Sequence, residues 1–252
     1  MPAGSAVRHE VRAAAAAVAF LTTLPAGRLV VADGCDLARA GPAFPIVGAA
    51  LGLSVGGFAL VLAEVCPPLV AAGAALALGT ALTGVMHLDA LADTADALGG
   101  RSREQALRIM RDPSTGSFGT AAVALCLLIE AGALAELANE RAVGPVLAAF
   151  ALSRAIAPPL ACLLPYARTA GGLAQPLVAG RRGRAVAAVV LAAAVSVAAV
   201  PESAPWQLLA TAVTGALAFA GSKRWLGGVT GDTLGASIAV AQTVCLVVAV
   251  AS

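Results

Sequence analysis

Residues 43–63 read "AFPIVGAALGLSVGGFALVLA", a run without a single charge. A helix rises about 1.5 Å per residue, so a run of this length matches the hydrocarbon core of a bilayer. It is continuously apolar and does not alternate with period two, which argues against a membrane strand. Similar runs recur at 67–88, 118–138, 144–164, 185–200, 205–221 and 234–251, flanked by Pro, Gly or charge. Seven spans are therefore expected, in an all-α bundle that forms one membrane-embedded domain over residues 1–252. The dense Ala and Gly of these runs allow helices to approach closely, where lipid offers no hydrophobic force to drive them together.

Composition agrees with this reading. Hydrophobic residues make up 60% of the chain and charged residues 12%, with a mean hydropathy of +0.90. An average soluble domain is roughly 45–50% apolar and roughly 25% charged. Residues 13–24, "AAAAAVAFLTTL", follow Arg8, His9 and Arg12 and imitate a secretory signal, but no clear cleavage site follows. A helix lying in the interface or against the bundle is the expected form.

Charge sets the orientation, because Lys and Arg are enriched in cytoplasmic loops. With the seven spans above, one side receives residues 1–42, 89–117, 165–184 and 222–233, and collects fourteen of the sixteen basic residues. The other side receives Arg141, and Arg154 lies within a span. A cytoplasmic N-terminus and cytoplasmic motif loops at about 89–117, 165–184 and 222–233 follow.

The first of these loops opens with "GVMHLDALADTADALGG", residues 84–100. Positions i, i+4 and i+7 fall within roughly 60° on a helix, so Asp89, Asp93 and Asp96 share a face where the second span meets the cytoplasm. Three such charges near lipid repel one another and need a partner. Carboxylate oxygens suit Mg²⁺, which is commonly held by a few carboxylates together with substrate phosphates. A solvated face paired to Arg101, Arg103, Arg108 and Arg111 is the alternative. Interleaved Leu88, Leu91, Ala92 and Leu98 favour metal-assisted phosphoryl chemistry over it. Ser102, with Gln105 three residues on, has the pattern of a capping box that starts a short helix, which Pro113 ends.

"HLDALADTADALGG" followed by "RIMRDPSTGSFG" resembles the signature of the cobalamin synthase family of membrane ribazoletransferases. Further fragments agree in order: "FLTTLP" at 20–25, "FPIVGAALG" at 44–52, "SR" at 153–154, "PYAR" at 165–168 and "GGVTGDTLGA" at 227–236. The chain departs from the family pattern at Ala90 and Ala97, which replace glycines, at Thr23, often Arg, and near Ala239, where an acidic residue is common. The resemblance implies that a hydroxyl of α-ribazole, or of its 5′-phosphate, attacks the phosphate linked to cobinamide in adenosylcobinamide-GDP, and that GMP departs. It implies Asp89, Asp93 and Asp96 as Mg²⁺ ligands and catalytic carboxylates. Arg108, Arg111, Arg154 and Arg168 become candidates for the pyrophosphate or the corrin rim. It also implies a bacterial or archaeal cell (inner) membrane as the location.

The remaining site candidates carry two readings each. His87 could orient Asp89 or donate to a phosphate, or be an ordinary interfacial residue. Asp112 could extend the acidic site or cap the turn "DPSTG". Asp232 lies in a Gly-rich segment suited to close approach to a phosphate. Glu130 and Arg154 fall inside spans, where ionisable side chains are usually paired or functional, and pairing with each other would satisfy both. The five cysteines show no metal-ligand spacing, so neither zinc nor haem is indicated. No nucleic-acid partner is expected, and a homo-oligomer is compatible with the sequence. Two other classes compete. A CDP-alcohol phosphotransferase would need a second aspartate pair, absent downstream. A transporter would place charges at the bilayer midplane and show repeated halves.

Overall fold

The computed structural model describes residues 3–26 and 33–252. Of the expected cytoplasmic N-terminal segment, residues 1–2 and 27–32 thus lie outside the described part. Helix α1 (Ala3–Leu21) and the short α2 (Gly34–Arg39) precede α3 (Ala43–Ala63) and α4 (Pro68–Thr83). Then come α5 (Met86–Ala97), α6 (Arg103–Ile109), α7 (Ser117–Asn139), α8 (Val143–Arg154) and α9 (Ala157–Leu163). The chain closes with α10 (Gln175–Val178), α11 (Arg182–Ala199), α12 (Ala204–Trp225) and α13 (Gly231–Ala251). No strand forms among the described residues, and the only bridge pairs Tyr166 with Val229. The all-α expectation is met.

Five helical segments are long and apolar enough to cross a membrane: α3, α7, the joined α8–α9, α11 and α13. The pair α4 and α5 would make a sixth, bent by 89°. The sequence led to seven. The difference lies in α12, which contains the expected span 205–221 but is less apolar than the others, with Gln207, Thr211, Thr214 and Ser222 along its length. Its Trp206, Leu209, Val213 and Leu217 are nevertheless exposed on the outer surface.

The joined α8–α9 segment is the most deeply buried of the five, and glycine determines how closely α3 approaches it. Gly48, Gly52 and Gly56 line one face of α3 at four-residue spacing, and α8 lies against them. A methyl on Gly52 would fall 2.8 Å from both the Leu147 Cα and the Val146 carbonyl oxygen. Dispersion between backbones this near substitutes for the missing hydrophobic drive between helices in lipid.

α1 lies along α2 and α3, burying Ala13, Ala16, Ala17 and Leu21 while Val7 and Val11 stay exposed. Arg12 on α1 holds Asp36 on α2 at 2.8 Å. Burial pulls the Asp36 carboxyl upward, but Arg12 and the Asp33 backbone outweigh it and keep it below the usual carboxylate range. Glu10 pairs with both terminal nitrogens of Arg184 at the start of α11, fastening this amphipathic helix to the bundle.

The fold departs most from expectation at Gly84 and Val85. The expected second span, 67–88, ends early, because Gly84 adopts φ +63° and Val85 φ +64°. The Val85 N–H reaches back to the Thr80 carbonyl at 3.0 Å and the Gly84 N–H to Ala81 at 3.3 Å, the hydrogen bonds of a Schellman stop. Thr23 covers the same helix end. Its N–H donates to the Leu82 carbonyl at 2.8 Å and its hydroxyl to Ala81 at 3.2 Å. A β-branched residue in the left-handed region is strained. The aspartates consequently leave the axis of α4 and ride on a separate helix, α5, packed against α13 and α7.

Candidate active site on the aspartate helix

On α5, Asp89 is exposed while Asp93 and Asp96 are half-buried. Asp93 lies in the fields of Asp89, Asp96, Asp232 and Arg168. Three segments far apart in sequence thus meet around one carboxylate.

The route that brings Asp232 and Arg168 there is built from backbone. Residues 165–167 run beside 229: the Val229 N–H donates to the Pro165 carbonyl at 2.9 Å and the Ala167 N–H to Val229 at 2.8 Å. Gly228 makes the approach feasible, since a Cβ there would lie 3.3 Å from the Ala167 nitrogen and closer still to Pro165. Thr230 then caps α13, with reciprocal bonds to Thr233, and sets Asp232 in its first turn, where the helix dipole favours an anion. Arg168 forms an ion pair with Asp232, and both side chains are largely buried. Its Nε has no partner among the described residues.

Asp96 has a different occupation. Its two carboxylate oxygens accept the backbone N–H groups of Gly116, at 2.7 Å, and Gly119, at 2.8 Å. It is the cap that the N-terminus of α7 lacks locally, since Gly116 has no side chain to offer. Asp112 also serves the backbone. It accepts from the Ser114 hydroxyl and, at 3.0 Å, from the Ser114 N–H, and these bonds hold its carboxyl below the usual range. The turn-capping reading of Asp112 matches this geometry.

His87 and Arg154 do not reach the open face. His87 is 7% exposed and Arg154 2%. Arg154 donates to Ser153 at 2.9 Å and to the Gln242 carbonyl, and stacks on Phe150 at 4.5 Å. The Gln242 amide in turn donates to Glu130 at 3.0 Å, and Thr243 donates to it at 2.9 Å. Glu130 and Arg154 are thus joined through Gln242 rather than directly, in a buried network beneath the aspartates. Together with His87 they line a cavity of about 40 Å³. A corrin or nucleotide cannot touch Arg154 here, so its assignment to substrate gives way to a buried structural charge. Gln242 was not singled out from sequence, although a glutamine inside an apolar span was the available signal.

Arg108 and Arg111 face outward on and just after α6, and with Arg103 and Arg168 they line a cavity of about 310 Å³. Arg103 is committed: it donates to the Leu226 carbonyl at 2.7 Å and to Ala167 at 3.0 Å, tying α6 to both neighbouring motif segments. Sequence reasoning set Arg103 aside as a plain salt-bridge candidate. Its partners are backbone carbonyls, which leave no trace in residue identity.

The donor set fits a hard cation, since hard oxygen ligands dominate it. Among the described residues no three carboxylates, imidazoles or thiols converge on a common point. A magnesium ion here would therefore take one or two carboxylates and complete its shell from phosphate and water, its usual habit.

The model of one family, described as cobalamin-5-phosphate synthase, matches residues 13–250. The chain belongs to the cobalamin-5-phosphate synthase family. A relative from Leptothrix cholodnii is 40% identical over 259 aligned residues, covering 96% of this chain and 94% of its own. One from Chlorobaculum tepidum is 42% identical, covering 77% and 78%. One from Bradyrhizobium diazoefficiens is 35% identical over 100% of this chain and 98% of its own. Each of the three is an adenosylcobinamide-GDP ribazoletransferase. No solved structure matches the chain. Family membership disposes of the CDP-alcohol phosphotransferase and transporter readings. The bundle described above is the family's sequence folded as a multi-pass membrane protein.

Proposed function

We propose that this chain is the adenosylcobinamide-GDP ribazoletransferase of a bacterial or archaeal cell membrane, working on the cytoplasmic side. The observation that carries the reading is the meeting of Asp89, Asp93, Asp232 and Arg168 from three segments that the family fragments mark out in sequence. The acceptor is α-ribazole or its 5′-phosphate. Its hydroxyl oxygen forms a bond to the phosphorus borne by cobinamide, and the bond from that phosphorus to the bridging oxygen of the anhydride breaks. The electron pair leaves with GMP, and the hydroxyl proton passes to a carboxylate of α5, for which Asp89 and Asp93 are placed.

Arg168, held by Asp232, supplies a fixed positive charge beside the reacting phosphates, where positioning and charge neutralisation do most of the catalysis. Mg²⁺ completes the proposal. Bound by Asp89 and Asp93 it would neutralise phosphate charge, while Asp96, committed to α7, holds the helix in place. The network of Glu130, Gln242 and Arg154 ties α7, α8 and α13 together around a small cavity that His87 of α5 also lines.

Membranes carrying the protein, supplied with adenosylcobinamide-GDP, α-ribazole and Mg²⁺, should yield a complete cobamide and free GMP in equal amounts. Release of CMP from a CDP-alcohol, or of no nucleotide, overturns the assignment. The orientation has its own test. Introduced cysteines near residues 100, 175 and 228 should react with impermeant reagents only from the cytoplasmic side, and those near 65, 141 and 203 only from outside. Labelling of residue 100 from outside would place the aspartates away from the nucleotide pool.

A further inference from the structure

We infer that the basic cavity between α6 and residues 167–169 seats the departing nucleotide and holds it by its phosphate. The inference rests on the transferase reading above and adds which substrate fragment occupies which surface. Four arginines line the cavity against the single carboxylate of Glu104, and they are not equivalent. Arg103 is spent on two backbone carbonyls. Arg168 reaches from the cavity to Asp232, and its buried Nε still lacks an acceptor. Arg108 and Arg111 stand three residues apart, both exposed, and neither makes an ion pair among the described residues. Like charges at that spacing oppose one another, and an anion between them reverses the sign of the interaction.

Size and lining narrow the occupant. A cavity of about 310 Å³ is at the small end of ligand sites, suited to a nucleotide fragment and too small for a corrin ring. No aromatic side chain lines it, so it offers no stacking platform for a base. Recognition must come from guanidinium contacts to phosphate, and so must weaken with salt. Arg168 joins this cavity to the acids around Asp93. The anhydride bond would then break where the two surfaces meet, with the new phosphate charge of GMP developing between Arg108, Arg111 and Arg168.

The test is the affinity for GMP, read in two ways. As a product inhibitor of transfer in membranes, GMP should bind wild type and lose roughly tenfold for each of Arg108→Ala and Arg111→Ala, the effect of a charge-assisted contact. Arg108→Lys keeps the charge without the two-pronged geometry and should fall between. Calorimetric titration of GMP into purified, detergent-solubilised protein gives the same comparison for a variant without turnover. Guanosine, lacking the phosphate, should not compete. Unchanged GMP affinity in both alanine variants, or competition by guanosine equal to that of GMP, overturns the inference. Those results would leave the transferase reading intact if wild type still makes cobamide. Failure of wild type to make cobamide refutes that reading instead.

Discussion

Asp93→Asn should leave about one part in a hundred of wild-type transfer activity or less, while the protein still inserts and accumulates in membranes. The expected size follows from removing a preorganised charge at a reacting centre, typically worth about 10²–10³ in rate. The unaltered accumulation follows from position. Asp93 is half-buried among like charges, without a hydrogen-bond donor committed to it, so its carboxylate contributes little to the fold. Asp89→Asn should behave similarly, because Asp89 is exposed. If both hold one Mg²⁺, the double variant should be little worse than either single one, since groups acting as a unit are strongly non-additive. Raised Mg²⁺ should partly rescue the milder single variant by mass action. Losses that multiply, with no response to Mg²⁺, would separate the two aspartates and leave them as a charged helix face beside Arg168.

The sequence made the bundle legible because its code there is coarse. A run such as residues 43–63 has no charge to hide, and continuous apolarity states both helix and membrane. The acidic face was equally plain, since the spacing of Asp89, Asp93 and Asp96 is a helix repeat. What the sequence could not state was direction. Nothing in "LTGVMHLD" marks Val85 as left-handed, and that one residue takes the aspartates out of the line of α4. Ordered fragments such as "PYAR" and "GGVTGD" pointed to function, yet only backbone pairing between Pro165, Ala167 and Val229 joins them. Two of the misjudged roles were decided by backbone partners, while Arg154 was misplaced because its burial against Gln242 and Phe150 is set by packing. Arg103 serves carbonyls, and Asp96 serves N–H groups. The thinness of α12 as a span is a matter of degree, where Gln207, Thr211 and Thr214 interrupt the apolar stretch and Ser222, Lys223 and Arg224 close it.

The occupation of Asp96 leads to the second large effect, one that works through a glycine with no side chain of its own to offer the chemistry. Gly119→Ala should cost activity about as heavily as Asp96→Ala and lower the unfolding temperature of the solubilised protein. A Cβ on Gly119 would collide with the Asp96 carboxylate and come within 2.9 Å of the Ala92 carbonyl oxygen, so α5 and α7 must part or Asp96 must swing away. Overpacking of this kind costs about 1–3 kcal/mol, and loss of an N-terminal cap adds about 0.5–2 kcal/mol. Since α7 is a long apolar span, insertion itself should survive. The two changes share a target, which gives a sharper measurement than either alone. With the carboxylate already removed in Asp96→Ala, the added methyl meets only the Ala92 carbonyl, so the double variant should be less destabilised than the sum of the singles. Full additivity, or a Gly119→Ala protein as stable and active as wild type, would mean that Asp96 does not hold α5 to α7. Asp96 would then return to the choice between metal ligand and solvated acid that its helical spacing leaves open.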